Sequence, residues 1–182
     1  SLSCKPTLVA CGSVGRWTKV MGLLDEMTGR KLLPDIATYN SLLSFCAKEG
    51  QWDRAFELFE DMRVGGKGNC VPPNVVTYSV LIEECGEGGE ADKALELLAK
   101  LKDRGLRPDV ILYSTIIDAC GKVLQWEKAL RMFSEMKELG LTPGVITYNS
   151  LIHACGRGGQ LKKAMELLDE MKVSMMVPAP IT

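Results

Sequence analysis

The sequence has one histidine, His153, and no Cys-x-x-Cys pair. It has no apolar run near the roughly 18 residues that a membrane-spanning helix needs. It also has no excess of either charge, with 22 Lys and Arg against 23 Asp and Glu and a formal net charge of −1. Each absence excludes something. One histidine rules out schemes that need two within this chain. Seven cysteines, an odd number without metal-ligand spacing, do not form a secreted disulfide framework, so a reducing compartment is expected. Near-neutral charge supplies no long-range pull toward nucleic acid or an anionic membrane. There is no signal-peptide layout, and the first residue is Ser1 rather than Met, so a processed form or a fragment is expected.

What the sequence does have is a period. Cys11, Cys46, Cys85, Cys120 and Cys155 are separated by 35, 39, 35 and 35 residues. All four tyrosines keep the same beat: Tyr39, Tyr78, Tyr113 and Tyr148. So do the three tryptophans, Trp17, Trp52 and Trp126, and the prolines Pro34, Pro73, Pro108, Pro143 and Pro178. Met27, Met62, Met136 and Met171 recur likewise, with Leu101 in the remaining slot. Self-similarity at this period marks a repeat architecture. The units run 1–35, 36–74, 75–109, 110–144 and 145–179. The first lacks the tyrosine and reads as a degenerate or capping unit. The second is four residues longer, with the excess in the glycine-rich stretch 65–70, a lengthened loop. That stretch lacks both the Ser or Thr after its lysine and the preceding strand of a phosphate-binding loop. Residues 180–182 read as the start of a truncated further unit.

Each unit carries two amphipathic helices. Tyr39, Leu42, Leu43 and Cys46 fall at i, i+3, i+4 and i+7. Gly50 then ends the first helix. Trp52, Ala55, Phe59 and Met62 mark a second apolar face, and Pro73 stops the chain from continuing. The last unit repeats the plan with Tyr148, Leu151, Ile152 and Cys155, then Gly159, then Ala164, Leu168 and Met171. No sustained period-2 pattern predicts a sheet. One hairpin cannot bury both of its faces, but stacked neighbours can. The expected fold is all-α, a right-handed α-solenoid of stacked antiparallel helix-turn-helix repeats forming a single array.

Within this fixed frame, two positions are polar or variable. The fifth residues are Asn40, Ser79, Ser114 and Asn149, and the last residues are Asn74, Asp109, Gly144 and Ala179. Asn, Ser and Asp at these places also suit helix caps. The second residues, Ala37, Val76, Ile111 and Ile146, are apolar and mostly β-branched. The ninth residues, Ser44, Glu83, Asp118 and His153, share the face of the fifth. The thirteenth are Lys48, Glu87, Lys122 and Arg157. The cysteines are expected to be small packing residues. Zinc needs sulfurs about 2.3 Å from one ion, whereas packed helices lie roughly 10 Å apart.

The segments VITYNSLIHACGRGGQLKKAMELLDEMKVSMMVP (145–178), VVTYSVLIEECGEGGEADKALELLAKLKDRGLRPD (75–109) and IATYNSLLSFCAKEG (36–50) resemble pentatricopeptide repeats of the P type. The tetratricopeptide repeat, at 34 residues with a different signature, is the main rival. The resemblance implies sequence-selective binding of single-stranded RNA, about one base per repeat. It assigns base reading to Asn40, Asn74, Ser79, Asp109, Ser114, Gly144, Asn149 and Ala179. It assigns packing on the base faces to Ala37, Val76, Ile111 and Ile146, and phosphate contact to Lys48, Lys122 and Arg157. Asn40 with Asn74 then resembles a pyrimidine reader and Ser79 with Asp109 a guanine reader. Ser114 with Gly144 implies a weak purine preference, Asn149 with Ala179 a weak pyrimidine preference. Lys5 with Asp35 fits no pair. Unit 75–109 presents Glu83 and Glu87 on this face and carries 8 acidic against 5 basic residues, which should weaken RNA binding.

By the same resemblance the role is non-enzymatic, without cofactor or metal, in RNA processing, stability, splicing or translation in a chloroplast or mitochondrion. The zinc-deaminase signature is absent from the chain. Five units make a short site, so further repeats, a homodimer or a protein partner would be needed for selectivity. A protein-interaction scaffold using the concave face is the alternative function, and the near-neutral charge favours it.

Overall fold

The structure, a computed structural model, describes residues 22, 25–27, 29, 30, 32, 34–64 and 71–176. Cys11, Trp17, the 65–70 loop, Pro178, Ala179 and residues 180–182 lie outside the described residues. The described helices are α1 (Ile36–Lys48), α2 (Trp52–Val64), α3 (Val75–Gly88), α4 (Ala91–Asp103), α5 (Val110–Lys122), α6 (Trp126–Glu138), α7 (Val145–Arg157) and α8 (Leu161–Met176). No strand occurs among the described residues. None of the helices searched there is long and apolar enough to cross a membrane. The chain divides into two compact units, Ser1–Glu84 and Cys85–Thr182, each described by itself. The α-solenoid expected from the period is the fold class.

In the first unit, α1 packs against α2. α1 buries Thr38, Tyr39, Leu42, Leu43, Cys46 and Ala47, which is the i, i+3, i+4, i+7 face read from the sequence. α2 buries Trp52, Ala55, Leu58, Phe59 and Met62. Phe59 meets Tyr78 of α3 edge-on, with ring centroids 5.3 Å apart, the geometry the ring quadrupoles favour.

In the second unit, α5 packs on α4, α6 and α7, and α7 packs on α6 and α8. α7, the first helix of its repeat, thus rests on both helices of the repeat before it. Phe133 of α6 and Tyr148 of α7 make the edge-on aromatic contact here, at 5.4 Å. The Tyr113 hydroxyl donates to Glu135, which also pairs with Lys102. One repeat later Tyr148 donates to Glu170 at 3.1 Å, and Lys137 pairs with the same carboxylate at 3.0 Å. α8 differs slightly from the sequence expectation: Ala164 and Leu167 are buried, while Leu168 and Met171 are half-buried.

Cys46, Cys85, Cys120 and Cys155 are fully buried thiols outside any disulfide. Burial pushes the Cys46 thiol up to about 12 and the Cys120 thiol up to about 11. These cysteines behave as small apolar residues, not as nucleophiles.

Helix ends follow one scheme. α3 closes with the bond from Glu90 N–H to Cys85, and α1, α5 and α7 each close with two reverse bonds. Around Gly50 these run from Gly50 N–H to Ala47 and from Gln51 N–H to Cys46, at 3.0 and 2.9 Å. This ending requires a left-handed residue, and Gly50, Gly89 and Gly159 supply it with φ of 68°, 71° and 72°. Leu124 holds the same position with φ 62°.

Candidate nucleic-acid interface

The candidate site sits on the opening turns of α1, α3, α5 and α7 and on the residue before each. The second positions point outward: Val76 is 56% exposed, Ile111 66% and Ile146 74%, and Ala37 is exposed too. Large apolar side chains are normally buried, so a repeated exposed one needs a reason. The fourth-position tyrosines beside them are the largest buried side chains of their helices. The face is therefore set by helical phase: position four turns inward, and positions two and five do not.

The fifth positions lie at the edge of this surface. Asn40, Ser79 and Ser114 are half-buried and Asn149 is exposed. The Asn40 side-chain oxygen is buried without a hydrogen-bond partner. Ser79 and Ser114 each donate back along the helix, to the Val75 carbonyl at 2.9 Å and the Val110 carbonyl at 2.7 Å.

The last positions are helix caps, as their residue types allowed. Asn74 Oδ1 accepts from the Thr77 N–H at 3.0 Å and the Thr77 hydroxyl at 3.2 Å. Asp109 Oδ1 accepts from the Leu112 N–H at 2.9 Å. Gly144 precedes α7 without a side-chain cap. Capping occupies only one atom of each side chain. Asn74 and Asp109 are exposed, so the Asn74 amide nitrogen and the second Asp109 oxygen remain available on the surface. A backbone N–H can only be accepted by oxygen, so the cap also fixes which way the Asn74 amide points.

The thirteenth positions are exposed cations at Lys48, Lys122 and Arg157 and a carboxylate at Glu87. Two of the cations have acidic partners. Lys48 lies 3.4 Å from Glu84, whose side chain is only 10% exposed and also accepts from Ser44 at 2.7 Å. Lys122 pairs with Asp118 at 3.0 Å and donates to the Gly86 carbonyl at 3.0 Å. Arg157 has no carboxylate partner among the described residues. The Lys122–Asp118 pair, with both side chains about half exposed, is worth about 0–1 kcal/mol.

Sequence reasoning missed Glu84 and the third-position threonines. Thr38, Thr77 and Thr147 are the buried polar residues of this surface. Their regular spacing was visible, but not their hydrogen-bond partners.

Comparison with known proteins bears on the repeat and the fold. The model described as PPR repeat family matches residues 34–86, 73–122 and 108–157, and the model described as PPR repeat matches 8–32 and 146–175. A pentatricopeptide repeat-containing protein of Arabidopsis thaliana, named as chloroplastic, is 41% identical over 56 residues, which are 30% of this chain and 7% of that protein. The crystal structure of the pentatricopeptide repeat protein PPR10 from maize is 32% identical with a TM-score of 0.73, covering 94% of this chain and 24% of that one. PPR10 in complex with an 18-nucleotide psaJ RNA element gives 31% identity and a TM-score of 0.68, covering 94% of this chain and 25% of that one. The PPR domain of Arabidopsis thaliana protein-only RNase P 1 in complex with tRNA shares the fold, with a TM-score of 0.71 at 19% identity, covering 97% of this chain and 91% of that domain. This chain thus spans about a quarter of PPR10 and a small part of the curated relative. With family models matching most of its length over the same repeat frame, the chain belongs to the pentatricopeptide (PPR) repeat family.

Proposed function

We propose that this chain is a non-enzymatic module that binds single-stranded RNA, about one base per repeat, and acts in RNA processing, stability, splicing or translation in a chloroplast or mitochondrion. The observation that carries the reading is the half-used cap. Asn74 and Asp109 each spend one oxygen on the next helix and hold the other polar atom on the surface. Beside these caps, the exposed second positions Ala37, Val76, Ile111 and Ile146 offer apolar edges for flat rings. The RNA bound by the similar PPR10 structure and the chloroplastic name of the Arabidopsis relative support the same reading.

The free atoms predict what each step selects. The Asn74 nitrogen is a donor, so it favours bases with a ring-nitrogen acceptor on the pairing edge, adenine or cytosine. With the pyrimidine preference attached to Asn40, the first step reads cytosine. The free Asp109 oxygen is acceptor-only and favours bases with a ring N–H, guanine or uracil. With Ser79 the second step reads guanine. Asn149, whose partner position Ala179 lacks a polar side chain, adds a weak pyrimidine step at the end. Lys48, Lys122 and Arg157 then hold phosphates.

An array of all RNA tetramers in a constant flank tests this. The expected result is enrichment of cytosine at the first place and guanine at the second. A single hydrogen bond sets a discrimination of about tenfold. Equal binding of guanine and adenine at the second place would refute the Asp109 assignment. Failure to bind any member would leave the protein-scaffold reading, which the exposed carboxylates of Glu83 and Glu87 favour.

A further inference from the structure

We propose that unit 110–144 is a base-indifferent step of the array, closed by a hydrogen bond between Ser114 and Thr147; this rests on the RNA reading above. Ser114 has one hydroxyl hydrogen, and the Val110 carbonyl receives it at 2.7 Å. The second bond, from Ser114 Oγ to Thr147 Oγ1 at 2.7 Å, must therefore have threonine as donor. Ser114 has then spent its donor and one of its two lone pairs, and it is half-buried. Its partner in the reading pair, Gly144, has no side chain.

The two defects have one cause. In the first compact unit the third-position hydroxyl of Thr77 is held by Asn74, donating to its Oδ1 at 3.2 Å. Thr38 is held the same way by Asp35, at 2.7 Å. A threonine engaged by its own cap residue does not reach the fifth position of the preceding repeat, and the Asn40 oxygen is left without a partner. At α7 the cap residue is Gly144 and makes no such bond. Thr147, only 1% exposed, cannot leave its hydroxyl unpaired without cost. It turns to Ser114 instead. Loss of the cap side chain at position 144 thus removes one reader and occupies the other. The weak purine preference expected from sequence gives way to none.

The test uses the full chain on an RNA pool randomised at the third place, with cytosine and guanine fixed at the first two. The unmodified chain should bind all four variants within about twofold, less than one hydrogen bond sets. Gly144→Asn should recapture the Thr147 hydroxyl, free Ser114 and supply a donor. The expected gain is about five- to tenfold in favour of adenine and cytosine over guanine and uracil at that place. Thr147→Val, near-isosteric and unable to donate, should free Ser114 alone and raise third-place discrimination above the unmodified chain. Third-place selectivity in the unmodified chain equal to that at the second place would overturn the inference while leaving RNA binding intact. A Thr147→Val variant as indifferent as the unmodified chain would overturn it as well. Absence of binding to every RNA would overturn the RNA reading and this inference with it.

Discussion

Leu124 holds a backbone conformation, φ 62°, that no other described non-glycine residue adopts. A Cβ in the left-handed region costs roughly 1–2 kcal/mol, and three equivalent positions avoid that cost with Gly50, Gly89 and Gly159. Leu124 is 49% exposed, so burial returns little. Leu124→Gly is expected to stabilise the protein by about 1 kcal/mol, less what the freer unfolded chain takes back. Urea unfolding checks this, and a lower midpoint would contradict it. At this scale the sequence was readable wherever the period spoke. The placement of Asn40, Ser79, Ser114 and Asn149 on the outward turn, and of the tyrosines one residue earlier in the core, followed from helical phase. What was not readable was any bond whose partner lies about one repeat away. Glu84 on Lys48 and Thr147 on Ser114 depend on how neighbouring helices stack, and no local pattern encodes that distance.

Helices were legible as elements, because each is framed by its own signals. Asp35 caps α1 through Thr38 and Gly50 closes it. Their close packing rests on small residues toward the helix ends. A Cβ at Gly121 of α5 would come 3.1 Å from the Ala154 Cβ of α7, and one at Gly86 would come 3.0 Å from the Thr115 methyl. At Gly156, one repeat after Gly121, a Cβ would meet nothing within 4 Å among the described residues. Gly156→Ala should therefore gain about 0.5–1 kcal/mol from helix propensity alone. Gly121→Ala should gain less or lose, because α7 has to shift to admit the methyl. Thermal unfolding of the two variants measures the difference. Equal gains would show that the α5–α7 contact does not need a glycine.

The whole chain carries a net charge of −1, which is low for a binder of phosphate backbones. The charge is unevenly used. The thirteenth positions bring Lys48, Lys122 and Arg157 to the surface, and α3 breaks the series with Glu87, one turn beyond exposed Glu83. Composition alone therefore understated the case for RNA, while the repeat frame located both the cations and the interruption. The central claim is that, within a repeat, the opening turn of the first helix and the thirteenth position face RNA together. The most direct test is the salt dependence of single-stranded RNA binding by the chain and its Glu87→Lys variant, followed by fluorescence anisotropy. The account predicts that the variant binds more tightly. Each added phosphate contact should also steepen the fall of log K with log salt by about 0.7. An unchanged affinity and an unchanged slope would mean that this face does not meet RNA.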